Sequence, residues 1–512
     1  MSDRSQSHAM RRTVKGETVP RLFQAAVLVF LLLTGAVPQL LQALFNGVTG
    51  GNGFVFAVLT ALIYDLMRVA PLVVLARHPA GILHPLIIAV VVWPLLTTLP
   101  NLIDNFGGYA GLASGQPLQA PYFTSLGWES SGEIWWAVTK YHLLQILSLI
   151  ALYSGFAFVR QRSGRPVSIL ANVDTRRLRS ILVGVILVNF IGVAIFIQTR
   201  GGLVDHVMEL AYGRFRALAG LGPLLALFDI GALSLLLWIC MRPQDARSPL
   251  FLALLPLVAA QQFLVAGSRA ATLLVFVTVG LGWALSARRV PWRLAVVLVP
   301  VAFLSFGALN LIRTAGLSGT TVVEAAQDSS LQSVLERSQE EFNLRQALSG
   351  AVPVVADGMR TTGPMLGYTY TGAILAMVPR AVWEDKPRGP GSLYAQHFLN
   401  ESVEGTSIPI GSVAEAFWNF HIPGIVVIFA LYGYVLRRMY EVYNRNASNG
   451  LVITLFVLIA TQFGVGTDEL VAFQQNMITL AVLMGIIALF YPQALLAPKA
   501  QARRVIRAPR PT

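Results

Sequence analysis

Apolar residues run along this chain in long unbroken blocks instead of alternating with polar ones. Twelve blocks can be delimited, at 22–44, 54–76, 81–103, 134–158, 180–199, 219–240, 249–266, 270–287, 294–312, 418–436, 451–466 and 472–494. A helix needs about 20 apolar residues to cross hydrocarbon, and residues 22 to 64 contain no charged side chain at all. The pattern predicts an all-α polytopic membrane protein with about 12 transmembrane helices. The first block is too long for the apolar core of a cleaved signal peptide, which runs about 7 to 15 residues, so it reads as a first span.

Composition agrees with the pattern. Of 512 residues, 55% are hydrophobic and 12% charged, with a mean hydropathy of +0.63, whereas soluble chains carry about twice that charge. The net charge of +13 would suit nucleic acid, but its placement has another explanation. With a cytoplasmic N-terminus, 25 of the 38 Lys and Arg residues fall in segments on the inner side, while the short outer connections hold only Arg200, Arg214, Arg216 and Arg269. This is the asymmetry of the positive-inside rule, so both termini are expected in the cytoplasm and no nucleic-acid partner is needed. Trp135, Trp136, Trp238, Trp283, Trp292 and Trp418 fall near span ends, where indole rings favour the headgroup layer.

The expected organisation is a basic cytoplasmic N-terminus (1–21), spans one to nine (22–312), a large periplasmic loop (313–417), spans ten to twelve (418–494) and a basic cytoplasmic tail (495–512). The loop holds 11 of the 25 acidic residues. Within it, residues 331–350 place Leu331, Val334, Leu335, Phe342 and Leu348 near one helical face, which predicts an amphipathic helix. Residues 365–383 are apolar but short and end at Pro379 and Arg380, which predicts a re-entrant or interfacial helix. A further helix is expected around Ser412 to Phe420, running into the tenth span.

Absences narrow the chemistry. There is no phosphate-cradling GxxxxGK[ST] loop, and no cytoplasmic connection is long enough for a domain of at least about 50 residues. The first outer loop, 46–53, has no acidic residue, and the seven histidines are scattered without ligand spacing. Neither a metal nor a cofactor is expected. What stands out is cations at the outer face, since a charge in or beside a span costs roughly 2.5 to 3.5 kcal/mol. Arg269 opens the eighth span, Arg313 closes the ninth, and Arg380, Lys386 and Arg388 cluster around Glu384 and Asp385. Guanidinium groups grip phosphate oxygens in bidentate fashion, so the set suits a diphosphate at the membrane surface; snorkelling or pairing with the two carboxylates is the competing reading. Inside the spans, Asp65 and Arg68 are expected to pair along one helix, and Asp229 in the sixth span to be structurally paired, with contact to substrate as the competing reading for both. Asp468 and Glu469, followed by Gln474, Gln475 and Asn476, form a polar outer rim.

Three stretches carry a resemblance to a known family: the turn GSR (267–269), PRAVWEDKP (379–387) and SVAEAFWNFHIPG (412–424). In content, order and expected topology they resemble the bacterial oligosaccharide repeat unit polymerases, the Wzy-type O-antigen polymerases, over about a tenth of the chain. There is one departure: His421 stands where a glycine would be expected after the Asn-Phe pair. The resemblance implies a GT-C-like fold and a metal-independent glycosyltransferase of the bacterial inner membrane that polymerises undecaprenyl-diphosphate-linked oligosaccharide repeat units into surface polysaccharide. It further implies Arg380 and Glu415 as catalytic residues, with Glu415 as the base; Arg269, Arg313, Lys386 and Arg388 as diphosphate ligands; and His421 and Trp383 as substrate-positioning residues. Membrane lipid, a chain-length regulator and a flippase are the expected partners. A ligase that moves finished glycan from the same lipid, and a twelve-span transporter or flippase, stay open as alternatives.

Overall fold

The structure is a computed structural model, and it describes residues 21–34, 51–94, 131–159, 167–170, 173–218, 220–267, 269–290, 351–375, 378, 382–383, 385–398, 410–464 and 470–494. Among these the secondary structure is helical throughout, with no strand. The longer elements are α1 (Arg21–Thr34), α2 (Gly51–Val74), α3 (Ser131–Ala157), α4 (Thr175–Gln198), α5 (Leu203–Ala217), α6 (Gly222–Phe228), α7 (Ile230–Met241), α8 (Pro249–Ala266), α9 (Arg269–Ala287), α10 (Tyr368–Ile374), α11 (Pro390–Phe398), α12 (Gly411–Arg445), α13 (Gly450–Gln462) and α14 (Leu470–Phe490). Six helical stretches are long and apolar enough to cross a membrane: Val55–Val74, Thr175–Gln198, Gly222–Met241, Pro249–Ala266, Gly411–Arg445 and Ala472–Phe490. Ala271–Ala287 and Gly450–Gln462 are shorter apolar helices. This fits a polytopic membrane protein. The expected span 294–312, the amphipathic helix 331–350 and both terminal segments lie outside the described residues.

Several boundaries follow from local chemistry. Asp174 begins α4 by accepting from the Arg176 amide, and Ser248 begins α8 by accepting from the Phe251 amide, with Pro249 at the first helical position. Asn449 begins α13 by accepting from the amides of Leu451 and Val452, while its side-chain amide donates to the Ile169 carbonyl at 2.8 Å. Gly267 ends α8 at φ 57°, a left-handed conformation that glycine adopts without steric cost.

The central packing is α12 against α2's neighbour α3. Gly155 of α3 and Gly433 of α12 face each other's backbones: a β-carbon at Gly155 would collide with the Ala430 carbonyl, and one at Gly433 with the Leu152 carbonyl. Without a hydrophobic drive between helices in lipid, such small-residue contacts let backbones approach and maximise dispersion.

The segments expected on the inner side gather at one end of the bundle. The Asp174 amide donates to the Tyr491 hydroxyl, the Leu170 amide to the Ala494 carbonyl, the Val167 amide to Asn446 Oδ1, Tyr443 to the Leu285 carbonyl and Trp283 to the Pro243 carbonyl. We call this the arginine-rich end, because Arg179, Arg242, Arg437, Arg438 and Arg445 all engage carboxylates there.

Three expectations are corrected and one is refined. Trp238 and Trp418 are fully buried and do not face headgroups, because their N–H groups bond Asp245 and Thr362. The stretch 81–103 is no uniform helix over its described part, but a 3-10 turn (Gly81–Leu83), one α-turn (Pro85–Ile87) and a π-helical run (Ile88–Val92). The expected sixth span is present as Gly222–Met241, with a one-residue break between α6 and α7 at Asp229. Of the apolar stretch 365–383, only Tyr368–Ile374 is helical among the described residues. The pair of Asp65 and Arg68 is present at 4.0 Å, both side chains buried, and Arg68 also lies over the Tyr64 ring.

Candidate functional site

At the end opposite the arginine-rich one, the first turns of α12 grip the segment 362–370. Gly411, at φ 75°, opens a helix that is continuous to Arg445 except for a kink, so the helix expected at 412–420 does lead into the tenth span. Two of its backbone carbonyls accept from the segment: Trp418 from the Met365 amide at 3.0 Å and Asn419 from the Leu366 amide at 3.1 Å. Asn419 Oδ1 accepts from the Gly367 amide at 3.0 Å. The Trp418 indole donates to Thr362 Oγ1 at 2.8 Å.

Glu415 lies inside this grip. Thr369 donates its hydroxyl proton to Glu415 Oε1 at 2.7 Å, and Asn419 Nδ2 donates to Thr369 Oγ1 at 2.8 Å and to the Glu415 carbonyl at 2.8 Å. Thr369, Glu415 and Asn419 are 1%, 3% and 0% exposed, so the carboxylate expected at a surface, as a base, sits in the interior instead. The phenols of Tyr370 and Tyr432 are close enough to interact with it electrostatically. Tyr370 stacks on Phe420 at 6.1 Å, and its buried hydroxyl has no hydrogen-bond partner among the described residues. Among the described residues no Lys or Arg pairs with Glu415.

The grip supports the cationic segment. From α10 the chain runs through Val378 to Lys386, whose ammonium donates to the Val378 carbonyl at 3.0 Å and whose amide donates to the Trp383 carbonyl at 3.3 Å. Those two bonds tie Lys386 back to Val378 and to Trp383; Arg380 falls between them in sequence, outside the described residues. Pro387 packs against Gly372 so closely that a β-carbon there would lie 3.1 Å from it. Arg388 and Trp383 are half-buried in this segment. Nearby, Lys140 of α3 donates to the Val355 carbonyl at 2.6 Å and lies over the Phe417 ring at 4.9 Å; charge spacing along the sequence gave no reason to single it out.

Thus Glu415, Trp383, Lys386 and Arg388 come to one end of the molecule with His421. Arg269 begins α9 at that end, and Arg313 and Arg380 lie outside the described residues, as do Asp468 and Glu469. Of the outer polar rim, Gln474 donates to the Ile374 carbonyl of α10 and Gln475 lines a cavity discussed below.

The departure at His421 has a structural counterpart. His421 is exposed and has φ 59°, ψ −151°, a region that is essentially glycine-only. Two residues on, Pro423 cannot donate to the helix ladder, and Gly424 packs under Ala416, where a β-carbon would sit 2.6 Å from its carbonyl oxygen. The chain therefore turns tightly at 421, and a side chain there is held in a conformation it disfavours, its ring tilted against Phe417 at 4.6 Å.

No protein-family model, curated protein or solved structure matches the chain.

Proposed function

We propose that this protein polymerises undecaprenyl-diphosphate-linked oligosaccharide repeat units at the periplasmic face of a bacterial inner membrane, with the arginine-rich end cytoplasmic. One observation carries the reading: the segment bearing the cationic loop is bound by the buried Glu415–Thr369–Asn419 network to the start of α12, opposite the arginine-rich end. A preorganised cation set is what the reaction needs. The acceptor hydroxyl oxygen forms a bond to the sugar carbon bearing the diphosphate, the bond from that carbon to the diphosphate oxygen breaks, and undecaprenyl diphosphate leaves with the electron pair. The hydroxyl proton passes to solvent or a base. Arg380, Lys386 and Arg388, joined by Arg269 and Arg313, stabilise the charge that grows on the leaving group, and binding fixes the two sugars in line.

In this reading Glu415 is a positioning residue. Its carboxylate holds Thr369 and, through it, the base of the loop, and an acceptor hydroxyl has no open route to it. His421 and Trp383 border the sugars.

Deleting the protein should leave single repeat units on their carrier or acceptor. Unattached long chains would instead indicate a ligase, and unchanged surface glycan would exclude both. Arg380→Ala should stop chain growth at normal protein abundance; glycan of full length in that variant would remove the loop from the site.

A further inference from the structure

The break in the sixth span opens a second polar locus, separate from the Glu415 network. Interrupting a helix frees backbone carbonyls, which in a membrane must find other donors. Here they do. The Phe228 carbonyl accepts from Asn189 Nδ2 at 2.9 Å and from Gln261 and Gln262 at 3.5 Å each, and the Ala226 carbonyl accepts from Thr479 at 2.7 Å. Those four side chains account for the break. They do not account for Asp229, whose carboxylate meets the Gln262 amide and forms none of the described ion pairs. A carboxylate at such a position carries the cost quoted above for charge in a span.

Asp229 lines a cavity of about 320 Å³, the lower end of the size range of ligand sites. Leu218, Leu225, Val265 and Ala266 form apolar walls, and Gln475 supplies a second polar group. The walls lead at Ala266 into the turn that ends at Arg269, so the cavity lies at the same end as the cationic loop. Helix α14 stands between the two: Gln474 bonds α10, and Thr479 bonds α6. Beside the break, Gln261 Oε1 is buried without a partner among the described residues.

The chemistry of the lining selects the ligand. The freed carbonyls are already occupied, so Asp229 is the only strong oxygen ligand left, whereas a hard divalent cation takes about six or more; no cluster of three metal-ligating side chains occurs among the described residues. A lone carboxylate repels anions, and an apolar ligand would leave it unsolvated. A ligand with hydroxyl donors and apolar faces satisfies both walls and floor. We propose that this cavity binds one neutral sugar residue, with Asp229 accepting from its hydroxyls and Gln475 completing the contact. The natural ligand's identity as part of a lipid-linked repeat unit rests on the proposed function; the cavity's preference for a neutral polyol does not.

Cys240 is the only cysteine and is buried, so in a Cys240→Ser background Ala266→Cys gives a single reporter on the cavity wall, and Leu225→Cys a second should the first fold poorly. The full-length protein in nanodiscs is treated with a maleimide, with methyl glycosides of glucose, galactose and N-acetylglucosamine as probes, and tetramethylammonium and inorganic phosphate as controls. At a probe concentration of about twice Kd, mass action leaves about one third of sites free and labelling slows about threefold; adding Asp229→Leu should abolish the protection. Failure of every glycoside to protect, equal protection by tetramethylammonium or phosphate, protection that survives Asp229→Leu, or no labelling at either reporter would each overturn the site. Glycoside protection with unchanged glycan on deletion would keep the cavity and remove the polymerase; loss of polymer on deletion without protection would do the reverse.

Discussion

The two ends of the bundle treat buried carboxylates in opposite ways. At the arginine-rich end, Asp245 accepts from the Trp238 indole at 2.9 Å and from Arg242 at 2.8 and 3.2 Å, with Arg179 at 3.7 Å. Glu441 is ringed by Arg438 at 2.9 Å, Arg437 at 3.4 Å and Arg445 at 3.7 Å. At the other end the buried Glu415 meets a threonine hydroxyl, and the partly buried Asp229 an amide. A buried charge without its counter-ion is held only at a cost. Carboxylates met by arginine tie helices together, whereas carboxylates met by neutral groups keep their charge available for something else. Under the proposed function the contrast separates a structural end from a working end, and it can be broken or sharpened by substitution.

The largest effect is expected at Glu441. Glu441→Ala removes the carboxylate that three guanidinium groups share, and should cost about 3 kcal/mol in thermal unfolding of the purified protein. The arginines are 23 to 29% exposed at their side chains, which keeps the figure at the low end of such losses. Glycan chain length per folded molecule should be unchanged. A shortened glycan at normal abundance would mean that the arginine-rich end takes part in function.

Asp245→Asn should cost about 2 kcal/mol, because two charge-assisted hydrogen bonds weaken. Burial alone would raise the Asp245 carboxyl, but the bonds from Arg242 and Trp238, with the charges of Arg242 and Arg179, hold it below its usual 3.8. A carboxylate depressed in the folded state adds stability that is complete above the unfolded value and is lost as pH falls through the folded one. The wild type should therefore lose this increment only below about pH 4, and Asp245→Asn should flatten that part of its stability profile. An identical acid limb in both proteins would contradict the assignment.

His421→Gly should stabilise by about 1 kcal/mol, the relief of a glycine-only conformation set against the greater freedom of glycine in the unfolded chain and the lost ring contact with Phe417. A destabilised variant would show that the imidazole's contact with Phe417 outweighs the strain, and would tie His421 more firmly to the packing beneath the cationic loop.

How much of this could be read from the chain depends on whether the signal is local. Helix starts at Asp174, Ser248 and Asn449 are single-residue capping events, and the apolar blocks at 249–266 and 270–287 coincide with α8 and α9 to within a residue. Asp65 with Arg68 was legible because i and i+3 share a helix face. The glycine-like turn at 421 was visible only as a departure from a resemblance. By contrast, Trp238 and Trp418 were misassigned because position near a span end says nothing about which face of the helix is covered. The break at Asp229 depends on Asn189, Gln261, Gln262 and Thr479 from three other helices, and hydropathy averages over all of them. Glu415 was visible as a carboxylate near a helix start; its burial comes from Thr369, which is 46 residues away.

The smallest effects are the most discriminating. Glu415→Gln keeps an oxygen at Oε1 to accept from Thr369, and no cation loses a partner, so its stability should change by less than about 1 kcal/mol. Asp229→Asn removes a charge that neutral groups support, and should be neutral or stabilising by up to about 1 kcal/mol. If either variant lost as much as Asp245→Asn, a cation would have to pair with it, and the distinction between the two ends would collapse. Activity then divides the roles at Glu415: a positioning residue lets Gln preserve chain length while Glu415→Ala, which releases Thr369, does not. A proton acceptor fails in both. Because Gln and Glu fill the same space between Thr369 and Asn419, normal folding with lost chain growth in Glu415→Gln could only come from the missing charge, and would restore Glu415 as the base.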